Sequence, residues 1–354
     1  MFSFLKRFDW GLFLAGVLLS AFGLLVIYSL SPATAKEQLI FFGIGIVLYF
    51  FAALLDYHYF TSFSLILYIL ILILVSATHF LGVTVFGSSR WLSVSGINLQ
   101  PSELSKLAVI LALASFLSSA RYQANSLVAY LSSALIVLLP AAVVFFQPDL
   151  GTALVILAIW VGMVFTAGVN FKFIMTSLGS LVILAIPFWL VLKDYQRSRF
   201  LTFFSPTSDP LGAGYNVIQS IIAVGSGGIF GRGFGRGTQS HLKFLPARHT
   251  DFIFASLSEE WGLIGGLILL ILFLFLAYRI IKILGQAPDN LGLLIAAGVL
   301  TMLFFQTTVN IGMNLGLMPI TGIPLPLISS GGSSLVMTLF CLGLVQSIAL
   351  RRKI

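Results

Sequence analysis

WGLIGGLILLILFLFLAY, residues 261–278, is a run of 18 positions without a charge, closed by Glu259 and Glu260 on one side and Arg279 on the other. As an α-helix rising about 1.5 Å per residue, it crosses a hydrocarbon core of about 30 Å by itself. Predominantly apolar runs of similar length recur at 10–30, 38–55, 62–82, 103–120, 127–146, 151–168, 173–192, 291–313 and 331–350. The expected fold is therefore all-α and polytopic: one membrane domain over residues 1–354 with ten transmembrane helices. Composition points the same way. Hydrophobic residues make up 59% and charged residues 8% of the chain, with a mean hydropathy of +1.08. That balance excludes a water-soluble globular domain and makes the bilayer the solvent. The first run, Trp10–Leu30, is longer than a signal-peptide core and lacks a small-residue cleavage site, so it reads as a retained span.

An even number of spans puts both termini on one side. Lys6 and Arg7 at the start and Arg351, Arg352 and Lys353 at the end make that side cytoplasmic. The loops then predicted inside hold Arg121, Lys172, Arg279 and Lys282, while the short loops outside hold Lys36, Arg90 and Lys106. One segment breaks the pattern. The large external loop between helices 7 and 8 covers about residues 193–258, and its stretch 193–250 carries Lys193, Arg197, Arg199, Arg232, Arg236, Lys243 and Arg248 against Asp194 and Asp209. Long loops escape the positive-inside rule, so the topology stands and the basic excess needs its own explanation. The net charge of +8 would suggest nucleic acid in a soluble protein; here many bases sit at helix ends, and no nucleic-acid partner is expected. Cys341 is the single cysteine, which excludes an intrachain disulfide and cysteine-based zinc sites.

With this orientation every unusual segment faces outward: GSSRWLSVSGINLQPSELSK (87–106), QPDLGTA (147–153), the long loop, and GLMPITGIPLPLISSGGSS (316–334). No internal repeat suggests an inverted-repeat transporter. Glu103 and Lys106, three residues apart, share a helix face, and Pro101 and Glu103 suit a helix N-terminus. A charge at the centre of a span costs about 2.5–3.5 kcal/mol, so such residues are kept for a reason, although a local ion pair at headgroup level would cost little. If a helix begins at Thr250 as N-cap, Asp251 lies about 15 Å above Trp261, at the external interface. Arg248 and His249 beside it can hold a carboxylate ionised. From position alone, a first-turn aspartate favoured by the helix dipole is the plainer account. GSGGIFGRGFGRG (225–237) is neither a dinucleotide fingerprint nor a P-loop. Its glycines with Arg232 and Arg236 suit either an anion-binding nest or a flexible surface loop.

These segments, with YQRSRFLTFFSPTSDPLGAGYNVIQSIIAVGSGG (195–228), GRGTQSHLKFLPARHTDFIFASLSEEWGLIGG (235–266) and GIPLPLISSGGSS (322–334), resemble the SEDS (shape, elongation, division and sporulation) family. They keep the family's order, run through most of the chain, and are spelled more like its RodA branch than its FtsW branch. Ala247 and Ser330 depart from the pattern, which commonly has Glu and Tyr there. The resemblance implies a glycan-strand polymerase that uses lipid II, with a catalytic aspartate matching Asp251 and a supporting ion pair matching Glu103 and Lys106.

The expected chemistry is glycosyl transfer with inversion and release of undecaprenyl pyrophosphate. Asp251 is the base, a role worth about 10²–10⁴-fold, and His249 supports it. Arg90, Arg197 and Arg199 meet the phosphates, and Gln100, Ser330 and Gly331 are further candidate substrate-binding residues. A divalent cation, Mg or Mn, is the cofactor this chemistry admits, with Asp251 as candidate ligand and no organic cofactor expected. A class B penicillin-binding protein and other elongation-complex membrane proteins are the implied partners. A lipid II flippase would need polar residues through the depth of several spans, where this chain is mostly apolar. A non-catalytic scaffold for a synthase would use the same external loops.

Overall fold

The computed structural model describes residues 7–81, 83–85, 88–94, 97–119, 126–170, 172–173, 175–176, 179, 197, 201–205, 210, 212, 214–242 and 244–352. Its helices are α1 (Trp10–Leu30), α2 (Pro32–Leu54), α3 (Tyr57–Ser62), α4 (Ser64–Leu81), α5 (Pro101–Ser118), α6 (Leu127–Phe146), α7 (Leu150–Thr166), α8 (Tyr215–Ser226), α9 (Thr238–His241), α10 (Ile253–Gly285), α11 (Asn290–Asn314) and α12 (Gly332–Arg351). Seven of them, α1, α2, α5, α6, α10, α11 and α12, are long and apolar enough to cross a membrane, and α4 and α7 are shorter apolar helices. Nine of the expected spans thus coincide with apolar helices. The tenth, 173–192, lies almost wholly outside the described residues.

The helices start where short polar side chains can satisfy the free N–H groups of a first turn. The Leu12 N–H donates to Asp9 Oδ1 at 2.9 Å before α1, and the Thr152 N–H to Asp149 Oδ1 at 3.2 Å before α7. Pro101 occupies the first turn of α5, where its missing N–H costs nothing. The bundle closes tightly at small residues: a Cβ on Gly343 of α12 would lie 2.4 Å from the Tyr49 carbonyl oxygen of α2.

The end holding the chain's last described residues is tied by charges. Arg279 Nε and Nη2 donate to the buried Asp9 at 2.9 and 2.5 Å, and Arg351 Nε pairs with Asp56 at 3.0 Å. At the opposite end, the all-α expectation is corrected by a three-stranded antiparallel sheet, β1 (Val83–Val85), β2 (Ser88–Val94) and β3 (Ile97–Leu99). Val83, Thr84, Val85, Val94 and Ile97 are β-branched and suit extended backbone, and β2 and β3 pair across a two-residue connection that puts Val94 opposite Ile97.

The span that reads 261–278 in sequence belongs to a longer element. α10 begins at Ile253, and at Gly262 its backbone leaves helical geometry (φ 64°, ψ −159°). The break frees backbone groups that the glycine-rich loop satisfies. Leu263 and Ile264 donate to the carbonyls of Gly228 and Ile229 at 2.9 and 3.2 Å, and Arg232 and Gly233 donate to those of Glu259 and Glu260 at 2.9 and 3.0 Å. A side chain at Gly262 would meet the Gly231 nitrogen at 2.4 Å, so glycine is required on the helix side of this contact.

Candidate active site

The turn before α10 carries Asp251. Ala247, at φ 50°, turns the chain left-handed, and its carbonyl accepts from the N–H groups of Thr250 (3.0 Å) and Phe252 (3.2 Å) and from the Thr250 hydroxyl (3.1 Å). Thr250 is therefore not the N-cap. The helix starts after Phe252, and Asp251 stays outside it, half-buried. Its carbonyl oxygen accepts from Asn310 Nδ2 at 3.0 Å and Asn314 Nδ2 at 3.1 Å, both on α11.

The segment 318–331 runs beneath this turn and is stitched to it. Ser329 donates its hydroxyl to the Thr250 carbonyl at 2.6 Å, Ser330 N–H donates to the His249 carbonyl at 2.8 Å, and Asn310 Nδ2 donates to the Ile323 carbonyl at 2.8 Å. A Cβ on Gly322 would sit 3.7 Å from Asp251 Oδ2, so the carboxylate lies over a position with no side chain. Gly331 N–H and the Ser329 carbonyl are both held by the Gln38 amide of α2, at 3.1 and 3.2 Å. The structure thus brings His249, Asp251, Ser330 and Gly331 together. It adds Gln100, whose backbone N–H donates to Ser333 Oγ at 3.1 Å.

Three residues beyond Gln100, Glu103 Oε2 accepts from Lys106 Nζ at 2.7 Å, and both residues are about as buried as any in the chain, 2% and 3% exposed. The pair lies inside the bundle, within electrostatic reach of Cys341 on α12. The start of α5 is further bound to α7, because Gln100 Nε2 and the Ser102 hydroxyl donate to the buried Asp149 at 3.4 and 3.3 Å.

His249 supplies less charge than the sequence suggests. Burial, and then the neighbouring Arg248 charge, push its imidazole below the ordinary range. That shift favours the neutral imidazole. Its Nδ1 is buried without a partner among the described residues.

The basic loop is also different from its sequence reading. The N–H groups of Gly231, Arg232 and Gly233, which a nest would aim at an anion, point into the protein at the Gly227 carbonyl and the α10 break. The Arg232 guanidinium donates to the Ser226 carbonyl at 3.3 Å and to Thr238 Oγ1 at 3.0 Å. Arg197 is half-buried, Arg90 lies on β2 with its side chain outside the described set, and Lys193, Arg199 and Lys243 fall outside the described residues.

Further polar residues shape this region, two of which, Asn310 and Asn314, the sequence reading passed over. Asn310 and Asn314 are fully buried and lie four apart in an apolar helix, a spacing that places both on one face. Glu259 and Glu260 are buried too. Glu259 accepts from the N–H groups of Gln239 (2.8 Å) and Ser240 (3.0 Å), and Glu260 from the Ser29 hydroxyl and from His241 Nε2 at 2.9 Å. They fasten α9 and the end of α1 to α10.

Apolar helices around a half-buried carboxylate, with irregular backbone gathered at one end of the bundle, define a multi-pass helical membrane protein with a candidate site at that end. The profile of the FtsW, RodA and SpoVE cell cycle proteins matches residues 9–354. The chain is 39% identical over 322 residues to the peptidoglycan glycosyltransferase MrdB of Escherichia coli (strain K12), covering 88% of this chain and 84% of that protein. It is 34% identical over 425 residues to the peptidoglycan glycosyltransferase RodA of Treponema pallidum (strain Nichols), covering 98% of each. Among solved structures it matches a chain from a study of how a peptidoglycan synthase complex coordinates polymerization and crosslinking, with TM-score 0.84, 35% identity and 97% of both chains covered. It also matches the rod shape determining protein RodA of Thermus thermophilus, with TM-score 0.74, 30% identity and 98% of both covered. The chain belongs to the FtsW, RodA and SpoVE family and is a peptidoglycan glycosyltransferase of the cell-elongation and cell-shape kind.

Proposed function

We propose that the chain polymerises glycan strands from lipid II at the outer face of the cytoplasmic membrane, with Asp251 as general base. The observation that carries this reading is the Asp251 turn: a carboxylate over Gly322, on a backbone held by α11 and the 318–331 segment. The 4-hydroxyl oxygen of the acceptor GlcNAc attacks C1 of the donor MurNAc as its proton passes to Asp251. The C1–oxygen bond to undecaprenyl pyrophosphate breaks, and C1 inverts. Pyrophosphate leaves as an anion, so the second carboxylic acid that glycoside hydrolysis needs to protonate a sugar leaving group is not required.

Glu103 and Lys106 hold the start of α5, and with it Gln100, against the site. Arg90, Arg197 and Arg199 are assigned to the phosphates, and Gln100, Ser330 and Gly331 to the walls of the substrate site. Among the described residues no three His, Cys, Asp or Glu side chains cluster as a metal site. A Mg or Mn ion fits as one held by Asp251 and the substrate's own phosphates, since such ions take one or two carboxylates plus phosphate oxygens. It would supply charge neutralisation at the leaving group. A groove of about 330 Å³ between α10 and α11, lined by residues such as Leu270, Phe273, Phe304, Ile311, Leu317 and Met318, offers an apolar path for the polyprenyl tail that ends beside the 318–331 segment.

The proposed topology is ten spans with both termini cytoplasmic, in keeping with Arg279, Arg351 and Arg352 at the end opposite Asp251. The proposed partner is a class B penicillin-binding protein that cross-links the strands, a pairing supported by the likeness to the synthase complex. The test supplies lipid II to the purified chain in detergent, alone and with such a partner, beside Asp251→Asn and Glu103→Ala. Glycan chains from the wild type and none from Asp251→Asn are expected. Chains from Asp251→Asn at the wild-type rate would remove the base assignment, and no chains from the wild type under either condition would turn the reading toward transport or scaffolding.

A further inference from the structure

In a continuous helix the Asp251 carbonyl would accept from the N–H of Ala255, four residues on. That bond is replaced. The Ala255 N–H donates instead to Asn314 Oδ1 at 3.1 Å, and Asn314 Nδ2 donates to the Asp251 carbonyl at 3.1 Å. The side-chain amide of Asn314 is inserted into the first possible turn of α10, one end on each backbone group. The helix begins at Ile253, with Asp251 outside it.

Asn310, one turn earlier on α11, holds both sides of the space the carboxylate occupies. Its two amide hydrogens go to the carbonyls of Asp251 (3.0 Å) and Ile323 (2.8 Å), the latter next to Gly322. Neither amide is free to turn. Asn314 Nδ2 also donates to the Asn310 carbonyl at 2.8 Å, and the Ser220 hydroxyl of α8 donates to the Asn314 carbonyl at 2.9 Å.

We propose that Asn314 and Asn310 are positioning residues for the transfer reaction: the Asn314 amide keeps α10 from winding back over Asp251, and Asn310 fixes the gap between Asp251 and the Gly322 segment. The inference rests on Asp251 being the base. Neither residue touches the reacting atoms. Without the inserted amide, the Asp251 carbonyl and the Ala255 N–H can pair directly, and a helix that takes in Asp251 sets its side chain about 100° around the axis from that of Phe252.

A purely structural amide and a positioning amide differ in what their removal does. Asn314→Leu lets the two freed backbone groups pair with each other, so thermal stability in detergent is expected to stay within a few degrees of wild type or to rise. Displacement of a catalytic group by about 1 Å can cost on the order of 10²-fold, so kcat for polymerisation is expected to fall between about ten- and a hundredfold, with the lipid II KM within about twofold. Asn314→Asp, of the same shape, keeps the acceptor for Ala255 but, ionised, loses the donor to Asp251. It is expected to lose kcat as well, and it serves if the leucine variant does not fold.

The full chain is assayed with lipid II alongside Asp251→Asn. A fall in kcat matched by a fall in melting temperature in both Asn314 variants would overturn the proposal, as would wild-type kcat in either folded variant while Asp251→Asn is inactive. Wild-type polymerisation by Asp251→Asn would instead overturn the base reading itself.

Discussion

Replacing Lys106 with methionine leaves the Glu103 carboxylate, 2% exposed, without the ammonium that sits 2.7 Å away. Breaking a buried pair from one side costs about 3–5 kcal/mol, because the remaining charge keeps its desolvation cost and loses its compensation. At about 1.4 kcal/mol per factor of ten, the folded-to-unfolded ratio falls by roughly two to almost four powers of ten. Glu103→Gln should cost a similar amount by stranding the ammonium. The double replacement, Glu103→Gln with Lys106→Met, removes both charges at nearly constant volume, and such swaps are neutral or stabilising by about 1–4 kcal/mol.

The assay is thermal unfolding in detergent, followed by lipid II polymerisation at a temperature where all variants remain folded. The singles should melt well below wild type, the double near or above it. Activity separates two meanings of the pair. If its task is to hold the start of α5 and Gln100, the double regains stability and much of its activity; if its charges act on the reaction, it regains stability alone. Single variants that melt like the wild type would refute the reasoning, since the pair would then not be shielded from water as the burial implies.

Gly262→Ala puts a Cβ 2.4 Å from the Gly231 nitrogen and a side chain at φ 64°, ψ −159°, a region that is essentially glycine's and costs about 1–3 kcal/mol before any clash; its melting point should fall and protease should cut near 227–233. Gly266→Ala, whose Cβ would meet Phe254 at 3.8 Å, is the tolerated control. Asp9→Asn keeps a side chain able to cap α1 but removes the charge facing Arg279 at 2.5 Å, and should cost about 1.5–3 kcal/mol in a denaturant or thermal scan. His249 has a folded-state pKa below that of the unfolded chain, so the folded state binds fewer protons and loses stability as pH falls from the unfolded value, about 6.5, toward the folded one. His249→Gln should flatten that part of the melting-temperature profile between neutral and mildly acidic pH.

Hydropathy located the helices because lipid imposes one requirement, apolar length, that a single sequence displays. It put the N-cap of α10 at Thr250, two residues before the observed Phe252, and gave no sign of what Glu259 and Glu260 do. Two adjacent carboxylates read as the end of a span, yet both are buried, and their donors come from α9 and α1, up to 231 positions away. No local pattern reveals that. Asn310 and Asn314 were legible in principle, since buried amides four apart in an apolar helix share a face. The sheet at 83–99 escaped because strands this short, beside long apolar runs, carry little periodicity. Glu103, Lys106 and Asp251 were found through family spelling and orientation; which backbone groups hold them depends on contacts with α11, α12 and the 318–331 segment.

The two ends of the bundle solve the same problem differently. At the end holding Asp9 and Arg351, charged side chains pair with each other and close it. At the other, three irregular stretches, 227–233, 246–252 and 318–331, leave backbone groups outside the helical hydrogen-bond pattern, and in a membrane protein such backbone persists only where protein, a cavity or water covers it. Here the cover is specific: the α10 break takes the first stretch, and the amides of Asn310, Asn314 and Gln38 with the Ser329 hydroxyl take the other two. Those groups are satisfied by the protein itself around a half-buried Asp251. The apolar groove between α10 and α11 reaches the same level, so a lipid tail in the groove and a sugar at the carboxylate can belong to one molecule.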